Sequence, residues 1–338
     1  MSFYIKKLFD YITTLFLVTL LTFFTFNIIP GNPAIAILGP DADEVKIQQL
    51  EKEFNLDKPL YQRYFSWIKN VLQGDLGMSY RFNKSVSEII FDSATTTLTI
   101  SLFTIILTII IGFSFGIIFG HFSNNSLIKS VELLNQVFIS TPSFCTALLL
   151  ILIFTVKLNI FPSMGYIPFF KNPIECIKSI FLPSLSLALG SSAILARYLK
   201  TNFIEQKNKD YVKTAYSKGL SSFYINFHHI LRNSLISVIT AIGLILTEIL
   251  GGSIIIENVF SIPGIGKLIT TSISSRDFPL IQGITLYLAS ICVLCNFSIE
   301  IIYSIIDPRI KNQNNTFFIK KIRKRDASWK NILQTNRL

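Results

Sequence analysis

From Leu98 to Gly120, and again from Leu133 to Val156, the chain runs without a single charged side chain. About 20 predominantly apolar residues are enough to cross the hydrocarbon core of a bilayer as a helix. Tyr11–Ile29, Ser179–Ala196, Asn233–Ile256 and Phe278–Ile299 carry the same signal, and Glu248 is their one charged residue. None of the six shows strand-like alternation, and hydrocarbon offers no partner for open backbone groups, so each is read as a helix. The expected fold class is all-α, a polytopic membrane protein with six transmembrane helices.

Composition agrees. Charged residues make up 15% of the chain and Phe alone numbers 30, against about 25% charged in an ordinary soluble domain. The first span has a signal-peptide-like start in Lys6 and Lys7, and Ala34-Ile-Ala36 resembles a cleavage site. Charge is nevertheless absent all the way from Tyr11 to Pro40, well beyond the apolar core of a signal peptide. This favours a retained anchor. Cys292-x-x-Cys295 has redox or metal spacing but sits in an apolar run with no His beside it. With Cys145 and Cys176 it reads as small residues packing spans, and no metal site is expected.

The net charge of +11 is an orientation signal in such a chain. With the N-terminus inside, the inner segments hold 19 Lys and Arg residues and the longer outer segments hold 12. Both termini are therefore expected in the cytoplasm. The segments fall into residues 1–30 (first span), 31–93 (outer loop), 94–311 (transmembrane domain, with an inner polar insert at 201–233) and 312–338 (basic tail). Within the outer loop, "DADEVKIQQLEKEF" reads as a charged helix. "DKPLYQRYFSWIKNVL" places Tyr61, Tyr64, Phe65, Ile68 and Leu72 along one face of an interfacial or docked helix. The tail suits solvent or lipid head groups rather than nucleic acid.

The insert "DYVKTAYSKGLSSFYINFHHILRN" interrupts this apolar sequence on the cytoplasmic side. Asp210 is placed to cap a first short helix carrying Tyr211, Val212 and Ala215 on one face. Gly219 suits a left-handed helix end, and Ser221 or Ser222 can cap a second helix presenting Phe223, Phe227, Ile230 and Leu231. Two capped helices at a fixed angle form a rigid knob, fit for a socket on a cytoplasmic partner. The plainer reading is an interfacial loop. His228 and His229 have no metal ligands near them in sequence and read as loop residues at the partner contact.

The spacing of Ala215, Gly219, Ile230 and Leu231 resembles the cytoplasmic coupling loop of ATP-binding-cassette (ABC) importer permeases. From about Lys6 to Lys311 the chain resembles the dipeptide/oligopeptide/nickel permease family, the first permease of its pair. The segments that carry this are "IIPGNPA", "LGPDA", "LDKPLYQRYFSWI", "GDLGMSY", "TPSF", "LNIFPSMGY", "LPSLSLAL", "DYVKTAYSKGL", "LRNSL", "GGSIIIENVFSIPGIGKL", "RDFPLIQG" and "DPRI", in that order. Lys213 and Thr214 replace the first two letters of the family's EAA signature, and Ser237 replaces a frequent proline.

The resemblance implies a permease that moves peptides, or nickel or another metal chelate, as part of a larger machine. Its partners would be a second homologous permease, two cytoplasmic ABC ATPase subunits and an extracytoplasmic substrate-binding protein. It implies a coupling contact at Asp210, Tyr211, Thr214, Ala215, Lys218, Gly219, Leu220, His229, Leu231, Arg232 and Asn233. ATP and Mg would lie on the ATPases, with no cofactor and no catalytic residue here. In keeping with that, the sequence has no G-x-x-x-x-G-K-[ST] phosphate loop.

Polar residues on the third to sixth spans are pathway candidates: Ser140, Thr141, Ser143, Ser186, Ser191, Thr240, Glu248 and Asn296. Pro263, Gly264, Gly266 and Arg276 are candidates for contact with the binding protein. Glu248 is either a contact for a cationic group of the cargo or a satisfied carboxyl at the permease–permease interface, and Glu300 suits pairing with a neighbouring subunit. A stand-alone secondary transporter or channel, or a membrane-anchored receptor, is the reading from another class.

Overall fold

The apolar runs become long helices. In chain order the helices are α1 (Ser2–Ile28), α2 (Pro33–Leu38), α3 (Glu44–Glu53), α4 (Leu60–Leu72), α5 (Val86–His121), α6 (Ser126–Ser140) and α7 (Ser143–Leu150). They continue with α8 (Pro173–Lys207), α9 (Asp210–Ser217), α10 (Ser222–Tyr224), α11 (Arg232–Val259), α12 (Ile265–Ser274) and α13 (Phe278–Ile306). The computed structural model describes residues 2–28, 33–38, 43–53 and 55–306. Parts of the "IIPGNPA" and "LGPDA" segments, all of "DPRI" and the basic tail lie outside them, as do the side chains of Ser237, Thr240 and Glu300. Among the described residues there is no strand, only an isolated bridge between Met78 and Ser85.

Five helices, α1, α5, α8, α11 and α13, each contain a stretch long and apolar enough to cross a membrane. The expected third span differs. Instead of one helix over Leu133–Val156, α6 and α7 meet at a bend of 108°. The cause is local. Pro142 has no amide hydrogen and forces the residue before it out of the helical region, and Thr141 is extended at φ −88°, ψ 125°. A π-helical stretch, Ile151–Lys157, prolongs α7.

This bent pair carries the chain from one end of the helix bundle to the other. Helices α5 and α8 run parallel, because Gly112, Gly116 and Gly120 face Leu195, Leu199 and Phe203 in ascending order. The chain leaves α5 at His121 and enters α8 at Pro173, so it must return to the opposite end between them.

The glycine ladder explains how these two helices approach so closely. A Cβ added to any of the three would lie 2.8–2.9 Å from the facing Leu or Phe. Small residues four apart present a groove for the ridge of the facing helix, the pattern of close-packed membrane helices. Helix α8 is central: 72% of its most apolar window is buried, against 17% for α1. Leu195, Leu199, Val238, Ala241, Ile245 and Ile249 form the shared core of α8 and α11.

At the other extreme, α1 is a peripheral helix held by aromatic contacts. Tyr11 meets Phe297 of α13 edge-on at 5.5 Å, and Phe23 meets Tyr64 at 5.2 Å. Helix α4 therefore docks through Tyr64, which also shares a hydrogen bond of 3.1 Å with Thr19. Its expected face does not dock as a unit, since Tyr61, Phe65 and Leu72 are 60%, 69% and 84% exposed. They form an apolar stripe of the kind that lies in a membrane interface.

Candidate functional site

The polar insert folds as a knob with its own core. Val212, Ala215, Ile225 and Ile230 pack with Phe203, at the Gly120 end of the α5–α8 ladder. Helix α9 ends in the full Schellman arrangement. The Gly219 amide donates to Tyr216 O at 2.9 Å, the Leu220 amide donates to Ala215 O at 3.3 Å, and Gly219 is left-handed at φ +76°. Ser221 then caps α10 by accepting from the Tyr224 amide at 3.3 Å.

Two sequence expectations are corrected here. Asp210 does not cap α9; it is the first helical residue, and Lys209 stands at the cap without a side-chain bond. The Asp210 carboxylate instead accepts from the Lys213 ammonium at 2.9 Å, a bond that holds its pKa below the usual carboxylate value. In the second helix, the four residues expected to be presented together divide: Ile230 is buried and Leu231 partly so, while Phe223 and Phe227 are 73% and 47% exposed. Residues Ile225–Leu231 form a π-helix, whose i→i+5 bonds widen the turn and break the expected i, i+4 register.

Of the residues expected at the coupling contact, Asp210, Thr214, Lys218, Gly219, Leu220, Arg232 and Asn233 are exposed. Tyr211, His229 and Leu231 are half-buried. Ala215 is buried and serves the knob's core.

A second feature forms at the α6–α7 bend. Ser140, Thr141, Pro142 and Ser143 face Ser186 and Ser191 of α8 and Glu248 of α11 across a cleft of about 260 Å³. Six of the eight pathway candidates thus meet in one place. Asn296 is exposed on α13 and is not among the lining residues. Thr240 lies on α11, two turns before Glu248, and its side chain falls outside the described residues.

Two buried carboxylates lie at the end of the bundle opposite the knob, and only one is within a span. Glu257, fully buried near the end of α11, accepts from Thr97 Oγ1 at 2.7 Å and from the Gly266 and Lys267 amides at 2.6 and 3.4 Å. It neutralises the open amides at the start of α12. Asp277, also fully buried, accepts from the Ser79 hydroxyl, from the Tyr80 and Arg81 amides at 3.2 and 3.1 Å, and from the Leu280 amide at 3.3 Å. It caps α13 and ties down the 79–81 segment at once.

Beside it, burial pushes the Tyr80 phenol up to about 12, with Arg63 opposing and Asp277 adding. The phenol is therefore neutral at any physiological pH. Asp277→Ala removes the acceptor for a hydroxyl and three amides, and buried donors without partners are costly. Protease cleavage within residues 79–85 of membrane-embedded protein should become rapid in that variant, whereas wild type resists.

Gly264 and Gly266 are candidates for contact with a binding protein. Both are buried, and a Cβ on Gly266 would lie 2.3 Å from the Ile254 Cα. Their role is the close turn against Glu257. Pro263 is exposed, and Arg276 is half-buried in the left-handed region at φ 54°. Sequence reading missed Glu257, Asp277 and the glycine ladder. Usable signals existed in the G-x-x-x-G-x-x-x-G spacing and in an acid placed two residues before "PL" at a helix start.

Apolar spans around a polar cleft, with two buried carboxylates at one end and a knob with its own core at the other, have the layout of a membrane permease. The profile of the family "Binding-protein-dependent transport system inner membrane component" matches residues 112–312, and that of its N-terminal part matches residues 1–102. The chain belongs to this family, the permeases of ABC importers. It is 34% identical to a putative peptide transport system permease protein of Brucella abortus (strain 2308), over 91% of this chain and 98% of the relative. It is 33% identical to the glutathione transport system permease protein GsiC of Escherichia coli (strain K12), over 92% and 99%. The fold is like that of the MetNI methionine ABC transporter in inward facing conformations. That likeness has a TM-score of 0.56 at 15% identity, and covers 65% of this chain and 97% of that one.

Proposed function

We propose that this chain is one of two paired permeases in an importer of peptides. Cargo arrives from an extracytoplasmic binding protein, and the energy comes from two cytoplasmic ABC ATPases that hold the ATP and Mg. The chain itself catalyses nothing and carries no cofactor. It works within the bilayer and binds no nucleic acid. The observation that carries this reading is the knob: a packed core beneath an exposed tip at Lys218, Gly219 and Leu220 suits transmission of force from a partner. The peptide cargo is supported by near-full-length relatives named for peptide and glutathione transport.

The division of labour follows the segments. Residues 1–30 anchor, 31–93 form the outer cover, 94–311 form the pathway with the coupling insert at 201–233, and 312–338 form a basic inner tail. Both termini lie in the cytoplasm. Single cysteines introduced in Asp41–Asp92 or Ser261–Arg276 are expected to react with an impermeant maleimide on intact cells. Those in Lys207–Ser222 or in the tail should react only after lysis, and external labelling of the insert would reverse the orientation.

Cargo is tested by uptake of radiolabelled di- and oligopeptides and of nickel into cells with and without this chain. Loss of peptide uptake alone is expected. Loss of nickel uptake with peptide uptake intact would move the assignment to a metal importer. Uptake that persists without the partner ATPases would favour a stand-alone transporter.

A further inference from the structure

A carboxylate within a span is costly unless something meets it. Glu248 makes no hydrogen bond or ion pair among the described residues, and its side chain opens onto the cleft at the α6–α7 bend. The groups around it share one property. Ser140 donates its hydroxyl hydrogen to Gln136 O at 3.0 Å, Thr141 donates to Val137 O at 2.8 Å, and Ser186 donates to Pro183 O at 2.6 Å. With their hydrogens committed to backbone carbonyls, these hydroxyls offer lone pairs to the cleft. Ser191, only 5% exposed, lines the same space with no hydrogen-bond partner among the described residues.

We propose that the Ser140–Ser191–Glu248 cleft is a transit site for a protonated amino group of the cargo, with Glu248 as its counter-ion. An ammonium carries three donors and no acceptor, so it complements a wall of acceptors with one negative charge. A transition metal fits less well, because such ions favour imidazole and thiolate ligands. Here the donors are hydroxyls and one carboxylate, and no three His, Cys, Asp or Glu side chains approach one another among the described residues.

The bend at Pro142 is what builds the site. A straight third span would run past α8, whereas the break turns Ser140, Thr141 and Ser143 together toward Ser186, Ser191 and Glu248. The cleft can therefore favour cargo with a positive charge after the binding protein has delivered it.

This inference rests on the peptide reading, and one experiment separates the two. Uptake is measured in proteoliposomes holding the complete transporter, with two peptide pairs. One pair differs only by lysine against norleucine at a side chain, the other only by a free against an acetylated amino terminus. Each uptake is expressed as variant over wild type, so the binding protein's own preference cancels, and normalised to assembled complex.

Glu248→Gln should lower the charged member of at least one pair about tenfold more than the neutral member, as expected for loss of a hydrogen bond to a charged group. The affected pair identifies which amino group uses the site. Glu248→Asp should keep the preference. Ser191→Ala, which leaves the carboxylate in place, should lower the same ratio by a smaller factor and serves if the Gln variant does not assemble. Equal loss within both pairs, or no change, overturns the ammonium site while leaving the peptide reading intact. Failure of the wild-type complex to take up any of the four peptides overturns the peptide reading itself.

Discussion

Changing Gly219 to proline is expected to leave the protein in the membrane and abolish uptake. The knob depends on a left-handed residue at φ +76° and on the Gly219 amide bonding to Tyr216 O. Proline holds φ near −65° and has no amide hydrogen, so it fails on both counts, at a cost above about 1 kcal/mol. The direction of the chain from α9 into α10 must change. The core of Val212, Ala215, Ile225 and Ile230 would no longer close beneath the tip.

No neighbour lies within 4 Å of a Cβ added at Gly219, so the effect is conformational and not a clash. Gly219→Asn provides the control, since Asn tolerates the left-handed region. It should retain most of the uptake. ATP hydrolysis by the assembled transporter should persist in the proline variant without its response to loaded binding protein. Near-normal uptake with proline would remove the argument for a rigid coupling element.

The knob is legible in the sequence because its signals are short-range. Gly219 and Ser221 announce a helix stop and a helix start, and the structure places both as the letters imply. The spans were legible for a similar reason: twenty apolar residues in a row leave few alternatives. What the sequence concealed depends on pairing across distance. Asp277 and Ser79 lie 198 residues apart, and Glu257 and Thr97 lie 160 apart. Nothing in either local pattern tells which partner each acid meets.

The π-helix at Ile225–Leu231 was hidden differently, since a widened turn has no compositional mark and shifts every later residue in register. The broken third span was half visible. "TPSF" carries the proline, but a proline within an apolar run is compatible with a modest kink as well as with a turn of 108°. The convergence of six pathway candidates on one cleft follows from that bend, which is why no single helix face could be chosen from the sequence.

Gly116→Val should damage the folded protein severely, and adding a methyl at Gly251 should be harmless. At Gly116 a Cβ would lie 2.8 Å from the Cβ of Leu199, well inside contact distance. The clash falls at the root of the Leu199 side chain, so no rotamer change relieves it, and α5 must move away from α8. Helix α8 is the most buried span, and separation here also opens the close contacts of Gly112 with Leu195 and of Gly120 with Phe203. Overpacking a filled core costs about 1–3 kcal/mol even where side chains can adjust. A large fall in the protein recovered from the membrane, and a lower melting temperature for what remains, are therefore expected.

Gly251→Ala adds a methyl where no atom lies within 4 Å, and alanine favours a helix over glycine by about 1 kcal/mol. That variant should match or exceed wild type in abundance. The decisive measurement is the double variant Gly116→Val with Leu199→Ala. It moves the bulk from α8 to α5 and removes the Leu199 Cγ and Cδ2, two of the three colliding atoms, leaving only the Cβ, so it should recover part of the stability lost in the single valine variant. If the second change instead adds its own full cavity cost to the first, the close approach of these two helices is not what limits the fold.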